Sequence, residues 1–447
     1  MCYNIIMENI ISDELMNLFN ILNSHYESYF VGGAVRDMIL GYSIHDYDIT
    51  TLATPDEIRK TLKMYTTIDI GGSLGTVLAL TENYSVDITP FRLDGEYKNF
   101  RKPEEVIFSK DVKEDLKRRD FTINAILYNG EFIDYVGGLR DLKNKIIRPI
   151  GDANIRIKED ALRILRAVRF ATKYDFEIEA SLESAIISNV NLLKNISFER
   201  IRDEFVKILL DKNVKKGMNL LRKLHIFDII LPEILQTYDY DQNSKYHENN
   251  LYDHILNVVG YSPEVLEVRL AALLHDIGKP ATFSMGDDGV AHYFGHEIES
   301  SKIAKEVLRR FKFSNEIIKK VVILIENHMT FQSVMTDRAL RRQIRKVGNE
   351  NILDLYDLMV ADRLGTMKSR SADDIYTRRD RVEELLKEPT SKPKFLNISG
   401  SDLIEMGFTP GPEFKKILND LTEMVLDDPE INTNEKLRQI VERNYNG

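Results

Sequence analysis

The stretch Phe30-Val31-Gly32-Gly33-Ala34-Val35-Arg36-Asp37 decides how the first part of the chain folds. An apolar run leads into two glycines, and an arginine follows where the pattern predicts the first turn of a helix. Glycines let a phosphate approach the backbone, and the free N–H groups of a helix start can donate to it. The stretch therefore predicts a strand, a turn and a helix at which Gly32, Gly33 and Arg36 contact a phosphate. A Gly-Gly turn on its own is more often purely structural.

Carboxylates cluster just beyond this stretch. Asp46 and Asp48 are two residues apart, and in a strand that spacing places both on one face, about 6.5–7 Å apart along the chain. Carboxylates arranged in this way can hold Mg²⁺ ions that also bind nucleotide phosphates. Asp87 lies between two apolar residues, and because an unpaired buried carboxylate is costly, it requires either a metal or an arginine partner. Both alternatives remain open at this point.

The pattern of elements predicts an α+β protein. Strand-like runs bounded by Gly, Asp and Asn occupy Tyr29 to Val31, Tyr47 to Leu52, Thr76 to Thr81 and Tyr84 to Pro90. Thr54 and Pro55 are typical of a helix cap and a first helical residue. From Ile155 onward, apolar residues recur at spacings of three and four, so the rest of the chain is predicted to be helical.

Composition excludes several classes of protein. The 447 residues are 43% apolar and 30% charged, and no apolar run approaches the roughly 20 residues that span a bilayer. The run Ile5 to Leu22 is interrupted by acidic residues and predicts an amphipathic helix, not a signal peptide. The single cysteine, Cys2, fits a reducing cytoplasm. Because the net charge is −10, nucleic-acid binding would need local basic sets, such as Lys117-Arg118-Arg119 or Arg341-Arg342 with Arg345-Lys346.

Four motifs together resemble the class II CCA-adding enzymes and bacterial poly(A) polymerases. In order, they are Gly32-Gly33-Ala34-Val35-Arg36-Asp37, Asp46-Tyr47-Asp48, Arg118-Arg119-Asp120-Phe121-Thr122-Ile123-Asn124-Ala125 and Glu159-Asp160-Ala161-Leu162-Arg163. The joint match covers about the first 210 residues. It implies a small nucleotidyltransferase sheet, two-metal phosphoryl transfer and addition of nucleotides without a nucleic-acid template.

The resemblance assigns roles in the first domain. Asp46 and Asp48 would hold two Mg²⁺ ions, and Asp87 would assist deprotonation of the RNA 3′-hydroxyl that attacks the α-phosphate. Gly33 and Arg36 would contact the triphosphate, with Gly32 in the same turn. Arg119 would be a further nucleotide or phosphate contact. Without the motif, Arg118 and Arg119 could equally be a solvated surface pair.

The resemblance also implies a nucleotide-selecting helix. Asp160 and Arg163 are three residues apart, which predicts one helical face, and Arg166 and Arg169 continue that stripe. An Asp can accept from a cytosine amino group and an Arg can donate to ring acceptors, so the pair can imitate a base-pairing edge. An ordinary ion pair within a helix is the alternative for an isolated Asp-x-x-Arg. Glu199-Arg200 with Glu204 resembles a later family motif that we expect to support the helix without contacting substrate.

The segment Arg92 to Lys110 resembles the full-length loop of enzymes that add the terminal A, which CC-only enzymes have shortened. This favours addition of CCA, or of A alone, to tRNA from CTP and ATP. The alternatives are an A-adding tRNA nucleotidyltransferase and a bacterial poly(A) polymerase. We expect tRNA as the partner, with no DNA or membrane, in the cytoplasm.

The second half carries a histidine pattern that resembles the metal ligands of an HD phosphohydrolase domain. The residues in question are His254, His275, Asp276, His296, His328 and Asp362. Such N and O donors suit a divalent transition metal or Mg²⁺. A phosphohydrolase acting on RNA ends is therefore the alternative function from another class, and an RNA-binding scaffold is the alternative for this domain.

The predicted domains are a nucleotidyltransferase head at 1–150, a helical neck and body at 151–238, an HD domain at 239–387 and a helical C-terminal segment at 388–447.

Overall fold

The structure is a computed structural model. It describes residues 11–445 apart from 45, 71, 73–74, 96, 99–101, 104–105, 243–249, 288–290, 330–334, 367–370 and 389–394. The chain divides into two compact units, Met1–Pro232 and Glu233–Gly447. The four predicted domains are a finer division than these two units and stay a prediction.

The first unit contains a sheet domain followed by helices. Its helices are α1 Asp13–Asn23, α2 Gly33–Leu40, α3 Pro55–Thr61, α4 Val112–Lys117, α5 Gly138–Asn144, α6 Ala153–Glu159, α7 Arg163–Tyr174, α8 Ala180–Asn189, α9 Phe198–Leu209, α10 Val214–Lys223 and α11 Phe227–Ile230. Its strands are β1 Ser28–Val31, β2 Tyr47–Thr51, β3 Thr66–Asp69, β4 Val77–Leu80, β5 Ser85–Pro90, β6 Arg92–Asp94, β7 Tyr97–Lys98, β8 Lys102–Pro103, β9 Val106–Phe108, β10 Leu127–Tyr128, β11 Phe132–Ile133, β12 Ile146–Ile147 and β13 Glu177–Ile178. The predicted α+β class is confirmed.

Seven strands form the main sheet in the order β11-β10-β1-β2-β5-β4-β3. The strands β2 and β5 pair in parallel, whereas the other pairs are antiparallel. This parallel pairing sets Asp48 directly opposite Asp87, and the pairing of β1 with β2 sets Val31 opposite Asp48. The Gly-Gly turn that ends β1 therefore lies at the same end of the sheet as the acidic residues.

The four predicted strands are confirmed to within about a residue at each end, as β1, β2, β4 and β5. The predicted cap is also confirmed: Thr54 caps α3 in a reciprocal arrangement with Glu57, and Pro55 is the first helical residue. One expectation is wrong, because β2 begins at Tyr47 and Asp46 precedes the strand instead of sharing it with Asp48. The edge strand β3 was not predicted, since its residues are largely exposed and lack an apolar alternation.

The predicted N-terminal amphipathic helix is α1, which begins at Asp13 with Ser12 as its cap. Its apolar face buries Leu18 and Phe19 among others, and the ring of Phe19 stacks on that of Phe30 in β1 at 4.6 Å. Residues 1–10, which include Cys2 and the start of the predicted run, lie outside the described residues. The helix therefore covers the sheet in the way its apolar spacing predicts.

Asp160 and Arg163 do not share one helix, which corrects a second expectation. The helix α6 ends at Glu159, Asp160 has extended backbone angles (φ −141°, ψ 105°), and α7 begins at Arg163. The Asp160 carboxylate accepts the backbone N–H of Leu162. Aspartate commonly competes with helical hydrogen bonding in this way, so the three-residue spacing spans a break between helices.

The second unit is almost entirely helical. Its helices are α12 Leu251–Tyr261, α13 Leu266–Leu274, α14 His296–Arg310, α15 Asn315–Asn327, α16 Asp337–Val347, α17 Ile352–Thr366, α18 Asp373–Leu385, α19 Gly400–Glu405, α20 Pro412–Asp427 and α21 Asn434–Tyr445, and its only described strands are β14 Ser284–Met285 and β15 Ala291–His292. The last three helices enclose an apolar cluster of their own, drawn from residues 395–441. Among the described helices, none is both long enough and apolar enough to cross a membrane.

Candidate functional site

A cleft of about 940 Å³ opens in the first unit. Residues of the sheet domain and of the helices after residue 151 line it together. Those that the sequence singles out are Gly32, Gly33, Arg36, Asp46, Asp48, Arg119, Asp160, Arg163, Arg166 and Arg169. Asp87 lies next to Asp48 in the sheet but does not line the cleft. The structure thus brings together nearly all the residues predicted for nucleotide binding.

The three carboxylates of the sheet domain repel one another. Burial raises the pKa of Asp48, and Asp87 and Asp46 raise it further, while Arg119 acts against them. The pKa of Asp87 is also raised, by burial and by Asp46. These three carboxylates do not place one oxygen atom each within 4.8 Å of one another. Other described residues, in the second unit, do reach that spacing. Their shared negative charge suits a divalent cation, which would relieve the repulsion.

Gly32 is required by the geometry of the turn. Its φ of +77° lies in the left-handed region, and a Cβ there would come 3.0 Å from the Oδ2 of Asp48. Gly32 is also the N-terminal cap residue of α2, so the free N–H groups of that helix begin beside the carboxylate. The backbone therefore approaches the acidic site more closely than any side chain would allow.

Arg36 is buried and rigidly held. Its Nε donates to Asp37 at 2.9 Å, its Nη1 donates to the side-chain oxygen of Asn124, and its guanidinium lies 4.7 Å from the ring centre of Tyr174. The hydroxyl of Tyr174 in turn donates to Asp37 at 2.6 Å. These contacts leave the charge of Arg36 fixed at the wall of the cleft.

A buried aspartate positions the basic turn. Asp115 has no exposed surface and accepts from Arg118 at 2.6 Å and from Arg119 at 3.3 Å. Burial alone would raise the pKa of Asp115, but Arg119 and Arg118 lower it overall. The two arginines are therefore anchored side chains at the edge of the cleft, not a solvated surface pair.

Asp120 and Arg166 join the basic turn to α7. Arg166 donates to Asp120 at 2.6 Å, and Asn124 donates to the other oxygen of the same carboxylate at 2.9 Å. Burial acts to raise the pKa of Asp120, but Arg166, Asn124 and Arg163 outweigh it and lower the pKa strongly. Arg166 is thus engaged by the protein, although it still lines the cleft.

Asp160 and Arg163 face the cleft without pairing with each other. Asp160 accepts from Arg200 at 3.0 Å, and Arg163 donates to Glu159 at 2.6 Å. Arg163 also donates to the backbone carbonyl of Arg118 at 2.8 Å. The ion pair within a helix, which was the alternative for these two residues, is therefore not formed, and each is oriented by another partner.

The later motif is closer to the site than expected. Arg200 lines the cleft and holds Asp160, so it does more than support its helix. Glu204, which is buried, lies 3.2 Å from Arg169 and holds the last arginine of the predicted stripe. Arg169 also stacks over Phe170, 4.3 Å from the ring centre.

Two other features from the sequence analysis, the segment Arg92 to Lys110 and the basic set on α16, can be located in the structure. In the segment Arg92 to Lys110, β6 pairs with β9 and β7 with β8, while residues 96, 99–101 and 104–105 lie outside the described residues. In the basic set on α16, Arg341 pairs with Glu388 and Arg342 pairs with Glu423. Arg342, Arg345 and Lys346 remain exposed, so RNA binding by this set stays a prediction.

The six predicted ligands of the second unit converge. The Nε2 atom of His254 lies 3.2 Å from Asp276 Oδ2 and 3.3 Å from Asp362 Oδ1, and His275 Nε2 lies 3.2 Å from the same Asp276 oxygen. On the other side, His296 Nε2 lies 3.2 Å and His328 Nε2 3.8 Å from Asp276 Oδ1. His275 and Asp276 lie in the turn that follows the end of α13.

The tautomers of three histidines are set by the backbone. The Nδ1 atoms of His275, His296 and His328 lie 2.7–2.8 Å from the carbonyl oxygens of Ala272, Tyr293 and Ile325. A carbonyl can only accept, so each Nδ1 carries a proton and each Nε2 atom faces Asp276. Metal-binding histidines are held in this way.

Three buried atoms of this cluster have no hydrogen-bond partner among the residues that the structure describes. They are Asp276 Oδ1, His296 Nε2 and His328 Nε2. Burial lowers the pKa of His328 to about 4, so its ring is neutral. Burial acts to lower the pKa of His254 as well, but Asp276 and Asp362 raise it to about 9. The negative charge of Asp276 and Asp362 therefore favours a proton on His254, and it would favour a bound cation in the same way.

Sequence reasoning missed the residues that position the others. Asp115 and Tyr174 contact predicted site residues but lie outside the motifs, and Asn124 lies in the third motif but was given no role. Asp115 had a usable signal, because it precedes Arg118 and Arg119 by three and four residues. Tyr174 had none, since it lies 137 positions from its partner Asp37.

Three family models match successive parts of the chain. Residues 28–148 match the poly A polymerase head domain. Residues 175–237 match a model described as "Probable RNA and SrmB- binding site of polymerase A". Residues 294–441 match a tRNA nucleotidyltransferase domain 2.

Curated relatives match over almost the whole chain. The chain is 34% identical over 441 residues to a CCA-adding enzyme of Ligilactobacillus salivarius, covering 97% of each. It is 34% identical over 430 residues to a CCA-adding enzyme of Lactobacillus johnsonii, covering 96% of each. A crystal structure of the Bacillus stearothermophilus CCA-adding enzyme in complex with CTP matches with a TM-score of 0.73 and 28% identity, covering 97% of each chain. Because it matches these relatives over almost its whole length and its own motifs line one cleft, the chain belongs to the CCA-adding enzyme family.

Proposed function

We propose that this chain adds C, C and A to the 3′ end of tRNA from CTP and ATP, without a nucleic-acid template. The observation that carries the proposal is a single cleft that joins the acidic sheet edge, the Gly32–Gly33 turn and the selecting residues Asp160 and Arg163. The related Bacillus enzyme, whose crystal structure holds CTP, supports the nucleotide class. The names of the curated relatives support the product.

The reaction joins the 3′-hydroxyl oxygen of the RNA to the α-phosphorus and breaks the bond from that phosphorus to pyrophosphate. Asp87, whose raised pKa favours holding a proton, lies beside Asp48 and assists deprotonation of the hydroxyl. Gly33 and Arg36 contact the triphosphate, and Arg119 adds positive charge next to it. Asp46 and Asp48 would hold Mg²⁺, which would neutralise charge on the phosphates when bound.

Selection of the base rests on residues held in one orientation. Asp160 keeps acceptor capacity beyond its bonds to Arg200 and to the Leu162 N–H, since a carboxylate has about four acceptor positions. Arg163 likewise keeps donors beyond those used by Glu159 and the two backbone carbonyls that it contacts. An Asp acceptor and an Arg donor fixed side by side can distinguish C and A from G and U. Arg166 and Arg169 extend the positive wall along α7.

The decisive experiment is product sequencing. Purified protein is incubated with CTP, ATP and tRNA lacking its last three nucleotides. We expect products that end in CCA and extend no further. A product extended only when the tRNA already ends in CC would identify an A-adding enzyme, and a long A tail would identify a poly(A) polymerase.

A second candidate function is hydrolysis of a phosphoester by the second unit. The favouring observation is that His254, His275, His296, His328 and Asp362, which come from three helices and the turns after α13 and α15, converge around Asp276. Two groups of three ligand atoms share Asp276, one with His254 and His275 and the other with His296 and His328, and Asp362 lies 3.3 Å from His254. This donor set fits a divalent transition metal, which these six residues would hold. Lys279 lies 2.6 Å from Asp276 and brings positive charge to the centre. A bound metal would supply an activated water for hydrolysis.

This candidate is tested by separating the two halves. Replacing His275→Ala together with Asp276→Ala should eliminate bound transition metal and hydrolysis of a 2′,3′-cyclic phosphate, while nucleotide addition continues. A wild-type protein with neither bound metal nor activity on cyclic or linear phosphoesters would instead leave this part of the chain as a helical scaffold for RNA.

The domain division is proposed with these functions: a head at 1–150, a neck and body at 151–238, an HD domain at 239–387 and a C-terminal segment at 388–447. The separate apolar cluster of residues 395–441 supports the last boundary.

A further inference from the structure

Three exposed apolar side chains are sequence neighbours of histidines in the cluster of the second unit. Phe294 is 80% exposed and lies two residues before His296, whereas Ile298 is 45% exposed and lies two residues after it. Met329, also 45% exposed, directly follows His328. Of the three, Phe294 offers the largest exposed fraction to a ligand.

A short hairpin holds Phe294 in place. β14 and β15 pair so that Ser284 lies opposite His292. The ring of His292 stacks on that of Phe294 at 5.1 Å, with only 12° between the two planes. The ring of Phe294 is therefore positioned by its stacking on His292.

The same segment also presents a candidate ligand. Gly295, with φ +77°, forms a turn between Phe294 and His296. His296 is buried and donates to the carbonyl oxygen of Tyr293 at 2.7 Å, while Phe294 stays exposed. Phe294 and His296, which are separated only by Gly295, thus place one ring in solvent and the other in the histidine cluster.

We propose that Phe294 and His292 form a stacking platform for the nucleobase of the phosphoester hydrolysed at the histidine cluster. This inference rests on the second candidate function. A flat aromatic pair is covered by a base of any identity, because every base has a π-face. An inorganic phosphate or a sugar phosphate would leave this apolar surface in water. The substrate class is therefore a nucleotide or a single-stranded RNA end, whose phosphate would be directed to Lys279 and to the metal that Asp276 would help to hold.

The test uses a fluorescent base. The chain contains no Trp, so 2-aminopurine can be excited with little signal from the protein. The probe is 2-aminopurine riboside 2′,3′-cyclic phosphate, titrated with the full-length protein in the presence of Mn²⁺. We expect wild-type protein to quench the probe by stacking. Phe294→Ala should lose the quenching and raise the Kd about 10-fold, whereas Phe294→Tyr should keep both.

Controls separate stacking from general damage. Tyr376→Ala removes another exposed aromatic ring of the same unit, 48% exposed, and should leave the titration unchanged. Glycerol 1,2-cyclic phosphate, which has no base, should inhibit wild type and Phe294→Ala equally.

The outcomes distinguish this inference from the function on which it rests. Equal quenching by wild type and Phe294→Ala would overturn the platform. So would a dimer of wild type that Phe294→Ala dissociates in sedimentation, since a second copy would then cover the ring. Quenching that depends on Phe294 without hydrolysis of the cyclic phosphate would support the platform and reject the phosphohydrolase.

Discussion

Asp48 and Asp87 are direct partners in the parallel pairing of β2 and β5. Adjacent strands lie about 4.8 Å apart, so residues in register present their side chains to the same face of the sheet. Burial raises the pKa of both carboxyls, and each is raised further by acidic neighbours. Two charges are thus held together against their repulsion by the backbone register, which is an arrangement that a cation stabilises.

Replacing Asp48 should abolish nucleotide addition without unfolding the protein. For Asp48→Ala we expect at least a 100-fold loss of kcat, about the effect of removing one group that stabilises transition-state charge. The thermal midpoint should stay at or above the wild-type value, because the substitution removes electrostatic repulsion. Incorporation of labelled ATP and CTP with Mg²⁺ measures the loss, and near-normal incorporation by the folded variant would reject the metal-binding assignment.

Gly32→Ala should damage activity more than stability. The new methyl group would come 3.0 Å from the Asp48 carboxylate in a left-handed backbone conformation, which itself costs about 1–2 kcal/mol. Gly41 is the matched control, because its φ is +73° and no atom lies within 4 Å of its Cβ position. We expect both alanine variants to lose similar stability in urea, and only Gly32→Ala to lose nucleotide addition. Equal activity in the two variants would contradict the close approach.

Arg200→Ala should relax the choice of base. Without this partner at 3.0 Å, Asp160 loses the contact that orients its acceptor oxygens. Misincorporation of GTP and UTP should rise, as it should for Asp160→Ala and Arg163→Ala, while the KM for the triphosphate changes less. Lys223→Ala, which removes an exposed partner of Glu183, is the control. The selecting role fails if all three variants keep the wild-type error rate.

Asp115→Asn should destabilise the first unit. It removes the buried charge that holds Arg118 and Arg119, and breaking a buried ion pair by removing one partner costs about 3–5 kcal/mol. The loss should appear as a lower urea midpoint, together with a higher KM for ATP because Arg119 is no longer positioned. Glu114→Gln removes an exposed acid that pairs with Lys117 on the same helix and should have little effect. An unchanged urea midpoint would place Arg118 and Arg119 among weakly coupled surface groups.

Removal of metal should separate the two sites by the chemistry of their donors. After dialysis against a chelator, Mg²⁺ alone should restore nucleotide addition, because carboxylate oxygens suit that ion. Hydrolysis of a cyclic phosphate should return only with a transition metal such as Mn²⁺ or Ni²⁺, which suits imidazole ligands. Restoration of both activities by Mg²⁺ alone would argue against a nitrogen-ligated centre.

Much of the fold could be predicted from local sequence. The short apolar runs of β1 and β4, the alternation of β2 and β5 and the cap at Thr54 are local signals, and the structure confirms them. The short strands β10 and β11 carry no such signal, since two residues cannot show a period. The helix break at Asp160 was missed because the spacing of its neighbours is also compatible with a continuous helix.

The amino-acid sequence by itself determined the family motifs, the order of the six candidate ligands in the second unit and the α+β class. These depend on residue type and on short spacings, which determine the local backbone geometry directly. Only the tertiary structure decided which charges meet: Asp160 with Arg200, Arg166 with Asp120, and four distant residues, His254, His296, His328 and Asp362, around Asp276 and His275. Such partners are separated by 40 positions or more in the first two cases, and their meeting depends on packing among whole elements. Burial then sets the protonation of these groups, because the loss of solvent that shifts their pKa exists only once the chain has folded.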